Sequence, residues 1–350
     1  MKIMYNPNRF PFTDDLNYVL KGVGDAWAAL KNQSILITGG TGIIGKWLIA
    51  TLLHADQQLG LGIKITVVSR NPNVFRSAYP VFGENTRLTW VAGDVRKFAL
   101  PKNAKFSHVI HAATDVVAAK SAEDVLDTCI TGTRHVIEHA RRCSTSRLLL
   151  LSSGAVYGKT PHELGAIPEA FMGSLDCLSS DSAYGQGKRV SEMLCAIENE
   201  KGKINIPIAR CFAMVGPYLP MDKHFAIGNF IDSIIRNQPI IINGDGTPVR
   251  SYMYMADVVL RLWLLLLKGR GGMAYNIGGE EPVTIEELAR LAVRILKSEV
   301  DIRIENKALH GAHANTYYPD NRRLRSEFGL DPGTGIEEAI QRTAAWYQSS

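Results

Sequence analysis

Thr38-Gly39-Gly40-Thr41-Gly42-Ile43-Ile44-Gly45 is the stretch that decides the fold. A short apolar run, Ser34-Ile35-Leu36-Ile37-Thr38, precedes it and predicts a β-strand. Ile43 to Leu53 follows and reads as a helix. The early glycines permit a tight turn and close backbone approach, and Gly45 lets the helix pack near the strand. The helix N-terminus offers unpaired N–H groups to phosphates. A glycine turn in this setting predicts a dinucleotide pyrophosphate site. Its candidate residues are Gly39, Thr41, Gly42, Ile43, Ile44 and Gly45.

Working outward, Lys64 to Ser69, His108 to His111, Arg147 to Ser152 and Ile204 to Arg210 read as further strands. Ala122 to Arg142 reads as a long helix, and another carries Tyr184 to Lys188. Strands alternating with helices predict a parallel sheet covered on both faces. The fold class is therefore α/β, a doubly wound parallel (Rossmann) sheet. After Arg210 the alternation gives way to helices at Phe225–Asn237, Ala256–Lys268 and Thr284–Lys297 and a strand within Pro239–Gly246. These predict a smaller mixed α/β substrate-binding lobe over the carboxyl edge of the sheet. The expected division is a helical N-terminal extension at 1–32, a Rossmann domain at 33–210 plus about 250–280, and a lobe at 211–249 plus about 281–350. In the extension, Leu16, Val19, Leu20, Val23, Trp27 and Leu30 recur at helical spacing.

Composition narrows the function classes. The 350 residues are 46% hydrophobic and 21% charged with a net charge of +5, which suits a globular protein. There is no block of five like charges to serve as a nucleic-acid arm. The longest apolar run, Leu262 to Leu267, is too short for a bilayer, and the first 32 residues lack the apolar core of a signal peptide. Cys129, Cys143, Cys177, Cys195 and Cys211 show no C-x-x-C spacing, so free thiols in a reducing cytoplasm are the simplest account.

Cofactor and chemistry come from two further places. The second strand ends Val67-Val68-Ser69-Arg70-Asn71 without a carboxylate. An acidic residue there would bond the ribose of NAD, whereas Ser69 and Arg70 can both bind a 2′-phosphate. NADP(H) is favoured and NAD(H) stays open. Tyr184-Gly185-Gln186-Gly187-Lys188 sets a phenol and an ammonium on one helix face. A tyrosine of ordinary pKa near 10 is a poor base, and a nearby ammonium together with a positive nicotinamide favours its phenolate. Ser153, just past the Arg147–Ser152 strand, can bond the substrate oxygen while Tyr184 exchanges its proton. Gly185 and Gly187 each cost roughly 1 kcal/mol in a helix, which predicts that a cofactor comes close there.

With these motifs the chain resembles the extended short-chain dehydrogenase/reductases that modify nucleotide sugars. The resemblance runs from Ser34 to the C-terminus, through TGGTGIIG at Thr38, GDV at Gly93, HAA at His111, SSGAVYG at Ser152, YGQGK at Tyr184, VGP at Val215 and VRSYMYMADVV at Val249. It implies a triad of Ser153, Tyr184 and Lys188, adenine contacts from Asp94 and Val95, and a ribose and phosphate path along Ala112 and Ala113. It also implies that Asn229 and Arg250 hold the diphosphate of a nucleoside-diphosphate sugar. Family members often form homodimers through the flanking helices, here Ala122–Arg142 and Asp181–Asn199.

Departures from the family pattern narrow the chemistry. The 4,6-dehydratases carry an Asp-Glu pair after the catalytic Ser/Thr, and the decarboxylases usually a glutamate; here Gly154 and Ala155 stand there. Family asparagines are replaced by Cys129 and Ala213, and the C-terminal arginine has no match in His310–Asp320, where Tyr317 or His313 are the substitutes. His310-x-x-His313 has no further metal ligands nearby, so no metal is expected. What remains is hydride and proton transfer at the sugar C4. The readings are an NADPH-dependent reductase of a nucleoside-diphosphate 4-keto-6-deoxyhexose, a 4-epimerase with tightly bound NAD(P), or a non-catalytic NADP-sensing scaffold.

Overall fold

Near-continuous apolar runs make strands that are buried on both faces, and seven strands here form one parallel sheet. The computed structural model describes residues 8–114, 121–222, 225–306 and 315–349. The strands are β1 (Ser34–Thr38), β2 (Lys64–Ser69), β3 (Leu88–Ala92), β4 (His108–His111), β5 (Arg147–Ser153), β6 (Ile208–Cys211) and β7 (Ala274–Ile277). Their spatial order is β7-β6-β5-β4-β1-β2-β3, with every pairing parallel. The chain reverses its direction across the sheet between β1 and β4, which is where open parallel sheets bind ligands. Pairing of Thr38 with His111 sets the glycine turn beside Ala112.

Two edge strands escape a reading of the sequence. β3 shows mixed exposure along its length, and β7 is only four residues long. The expected strand from Ile204 is cut short. Pro207 has no N–H to give the ladder, so pairing begins in earnest at Ile208.

The helices flanking the sheet are α1 (Thr13–Val23), α2 (Ile43–Leu59), α3 (Ala122–Arg142) and α4 (Ala183–Glu200). After β6 come α5 (Ala226–Ile235), α6 (Met255–Lys268), α7 (Ile285–Ile295) and α8 (Ile336–Gln348). The expected N-terminal helix breaks at Gly24, whose φ of 56° ends α1, and resumes as a 3-10 turn over Gly24–Leu30. Leu16, Val19, Trp27 and Leu30 are buried in the main core, with the Trp27 and Trp263 rings 5.1 Å apart. Each such side chain contributes about 1.5–3 kcal/mol by leaving water. Buried Asp15 accepts from the Tyr254 hydroxyl at 2.8 Å and from Arg342 at 2.6 Å.

Beyond β6 the strands are short. Val249–Arg250 pairs antiparallel with Val283–Thr284 and parallel with Thr316–Tyr317. Thr284 caps α7 through a reciprocal pair of hydrogen bonds with Glu287, as its sequence position predicts. Setting Tyr317 opposite Arg250 carries Tyr317 to the end of β5.

Candidate active site

Gly39 has a φ of 75°, and a Cβ there would lie 2.5 Å from the Ala112 carbonyl group. Only glycine lets the turn lie this close to the end of β4. Gly42 caps α2 without a side-chain hydrogen bond, so the first-turn N–H groups stay available to an anion. Ile43, Ile44 and Gly45 form that first turn; the isoleucines pack partly on the core.

From this turn a cavity of about 490 Å³ runs along the carboxyl ends of β1, β2 and β4. Gly39, Thr41 and Gly42 line one side, and Ala112 and Ala113 another. Ser69 and Arg70 stand at the β2 end, facing Asp94 and Val95. Arg96 clamps the Asp94 carboxylate through its side chain and backbone, which holds Asp94 down at about 2. Phe75 and Tyr79 close the outer wall, a contribution that their spacing in the sequence does not reveal.

Ser153 ends β5, and Tyr184 and Lys188 project from α4 toward it. The Ser153 hydroxyl accepts from the Ala155 N–H at 3.2 Å and is a polar neighbour of the Tyr184 phenol. Buried Lys188 donates to the Leu151 carbonyl at 2.7 Å and to the Thr114 hydroxyl at 3.0 Å. Its Nζ stands 5.9 Å from the Tyr184 ring.

Two expectations are corrected here. Burial pushes the Tyr184 phenol up to about 12 against the pull of Ser153, and Lys188 does not bring it down. Burial also lowers the Lys188 amine, against the pull of the neighbouring thiols and Glu192. Nor do the α4 glycines make room for a cofactor. A Cβ at Gly185 would meet the Ala155 carbonyl at 2.6 Å, and one at Gly187 the Cys129 Cβ at 2.8 Å. Gly187 and Cys129 are where α3 and α4 touch, which explains a small residue at position 129.

A second phenol reaches Ser153. Tyr317 is a polar neighbour of the same hydroxyl, its ring 4.7 Å from Phe212 and under the Arg250 guanidinium at 5.5 Å. Arg250 also donates to the Val249 and Asn315 carbonyls, each at 2.8 Å. A side chain at Gly154 would collide with the Tyr317 hydroxyl and stand 2.7 Å from the Phe212 ring. Asn229 sits on the exposed face of α5. His310 and His313 lie outside the described residues, and among the described residues no three metal-ligating side chains cluster.

Beneath the triad runs a polar network that the motifs do not announce. The Ser152 hydroxyl donates to Glu192 at 2.6 Å, and Arg210 pairs with the same carboxylate at 2.7 Å. Arg210 also donates to the Tyr157 hydroxyl at 2.9 Å, which donates on to Asn276 at 2.7 Å. Glu192 lies four residues past Lys188, so helical spacing alone places both on one face. Thr114 had a plainer signal, its position directly after His111-Ala112-Ala113.

Together these groups can hold a carbonyl or hydroxyl oxygen and pass it a proton, beside a cavity with an anion-binding turn. Known proteins match this chain over most of its length. The model of the NAD dependent epimerase/dehydratase family matches residues 35–278. UDP-glucuronic acid decarboxylase 1 of Arabidopsis thaliana is 24% identical over 322 residues, spanning 91% of this chain and 71% of that protein. The dTDP-glucose 4,6-dehydratase of Streptomyces niveus is 25% identical over 324 residues, spanning 90% of this chain and 93% of that protein. The crystal structure of UDP-glucuronic acid 4-epimerase from Bacillus cereus in complex with NAD has the same fold. It has a TM-score of 0.74 at 22% identity, covering 90% of this chain and 97% of that one. Among the described residues no helix is long and apolar enough to cross a membrane.

Proposed function

Because the chain belongs to the NAD dependent epimerase/dehydratase family, we propose that it is an NADPH-dependent reductase of nucleoside-diphosphate 4-keto-6-deoxyhexoses. The observation that carries this reading is the filled space beside Ser153. Tyr317 and Phe212 occupy the room that a side chain at position 154 would need, and Ala155 follows. Removal of water across C5 and C6 needs an acid and a base next to the serine, and neither has a place. Hydride and proton transfer need only the serine, tyrosine and lysine.

The turn at Gly39 and the uncapped N-terminus of α2 fit a pyrophosphate, and Ser69 with Arg70 fits a 2′-phosphate at the adenosine end. A bound nicotinamide would supply the hydride. Asp94 and Val95 line the cavity where they would border the adenine, and Ala112 and Ala113 where they would border the ribose and phosphate path. Lys188, held by Leu151 and Thr114, keeps a further N–H for the nicotinamide ribose. Ser153 orients the sugar carbonyl oxygen, and Tyr184 gives the new alkoxide its proton. A phenol raised to about 12 rests in its protonated form, ready to donate, which suits the reductive direction. Arg250 is the candidate for the substrate diphosphate, and Asn229 on α5 is placed with it by family resemblance alone.

The test is NADPH consumption against a panel of nucleoside-diphosphate 4-keto-6-deoxyhexoses. Stoichiometric oxidation of NADPH is expected, and Tyr184→Phe should lose about 100-fold or more in kcat. NAD released in stoichiometric amount on denaturation, with no net NADPH oxidation, would replace the reductase with a 4-epimerase. Wild-type function preserved in Tyr184→Phe would favour a sensing scaffold.

A second copy of the chain is the proposed partner. Val190, Met193 and Ile197 form an exposed apolar stripe along α4 at helical spacing, 36%, 62% and 48% exposed. Packing α3 and α4 against their counterparts would cover it. Light scattering that finds only monomer at micromolar concentration would rule this out.

A further inference from the structure

Tyr317 has the position of a reacting group. Its hydroxyl lies against Gly154, next to Ser153, and Tyr184 approaches the same serine from α4, so one serine stands between two phenols from distant parts of the chain. Its ring is fixed by Phe212 on one side and by the Arg250 guanidinium on the other. The backbone pairing of Tyr317 with Arg250 locks its approach, and Gly154 clears the space for its hydroxyl. So much local arrangement around one hydroxyl exceeds what packing an aromatic ring requires. A phenylalanine would fill the same hole.

We propose that Tyr317 is a third hydrogen-bond donor to the reacting sugar oxygen, alongside Ser153 and Tyr184. This rests on the reductase reading. As hydride adds to the C4 carbonyl carbon, the C=O π pair moves to oxygen and negative charge develops there. Tyr184 transfers its proton to that oxygen. Tyr317 keeps its own proton and stabilises the charge by hydrogen bonding, as a donor already fixed in place. Burial holds the Tyr317 phenol well above its ordinary value, against the opposing pulls of Ser153 and Arg250, so it stays a donor. The Arg250 guanidinium over its ring is then placed both to steady the phenol and to meet the rest of the substrate.

The test is steady-state kinetics of Tyr317→Phe with NADPH and the 4-keto-sugar that wild type reduces. The expected result is a loss of about 100-fold in kcat with KM little changed, and with NADPH affinity equal to wild type. To separate a substrate contact from a merely structural hold on Ser153, the same change is made in a Ser153→Ala background. A donor in direct contact still costs about 10-fold or more there. A Tyr317→Phe enzyme within about twofold of wild type in kcat, or one altered in KM alone, overturns the proposal while leaving the reductase reading intact. No further loss in the Ser153→Ala background overturns it as well. A wild-type protein that binds NADPH yet reduces no sugar in the panel removes the reductase reading, and this inference with it.

Discussion

Glu192 accepts the Ser152 hydroxyl at 2.6 Å, one residue before Ser153 and one helical turn beyond Lys188. It thereby ties the catalytic end of β5 to the catalytic face of α4. Arg210 completes the tie, with the pair only 16% and 12% exposed. Removing the charge from Glu192 leaves a guanidinium with its main partner gone. Glu192→Gln should therefore lose about 3 kcal/mol in urea unfolding. A loss below about 0.5 kcal/mol would mean that the pair behaves like a surface one.

Lys46 makes the second prediction. It is 6% exposed, its Nζ 3.2 Å from the Tyr79 hydroxyl and 4.4 and 4.6 Å from the Tyr79 and Tyr218 ring centres. Burial lowers the amine from 10.5 to about 8. The folded value lies below the unfolded one, so the folded chain disfavours the charged form. This contribution to stability is full above pH 10.5 and is lost as pH falls through about 8. Lys46→Met should raise the Tm near neutral pH and flatten its dependence across that window. An unchanged slope would show that the amine titrates like an exposed one.

Arg70 makes the third. If it receives a 2′-phosphate, Arg70→Ala should weaken NADPH binding on the order of 10–100-fold. NADH binding should stay within about twofold, because NADH offers that guanidinium no phosphate. Fluorescence titration of both dinucleotides reads the difference directly. Equal losses for the two would assign Arg70 to the fold of the cavity instead.

Gly154 makes the fourth. A methyl group there presses on Tyr317 and Phe212, so Gly154→Ala should destabilise by about 1–3 kcal/mol. Taking away the Tyr317 hydroxyl relieves part of the clash. Gly154→Ala should therefore cost measurably less in a Tyr317→Phe background, and denaturant curves of the four proteins form the cycle. Strict additivity would mean that position 154 does not feel Tyr317.

What the sequence discloses here is what local spacing governs. The glycine turn sits between a strand and a helix that each announce themselves within a few residues. Tyr184 and Lys188 share a face because four residues make about one helical turn. Ser69 and Arg70 stand at a strand end that β-branched residues mark. The contact of Tyr317 with Ser153 depends instead on a two-residue pairing with Val249–Arg250, which no periodicity betrays. The state of Tyr184 is hidden from the sequence for a related reason. Spacing puts Lys188 one turn away, but only packing reveals that two of its N–H groups go to Leu151 and Thr114 and that burial lowers its pKa. Gly185 and Gly187 looked like openings for a ligand because their true neighbours, Ala155 and Cys129, come from other segments.

The grip on Asp15 has a consequence for synthesis. Its partners, Tyr254 and Arg342, follow it by 239 and 327 residues. A ribosome therefore releases α1 with only α2 to hold it, through contacts such as that of His54 with Asn17 at 2.9 Å. The glycine turn and most of the sheet can assemble meanwhile, but the cover over α1 is completed only by α6, and the grip on Asp15 only by α8. The first helix to be made is among the last to be fully fixed, and a nascent chain stalled short of residue 342 would leave Asp15 without its guanidinium.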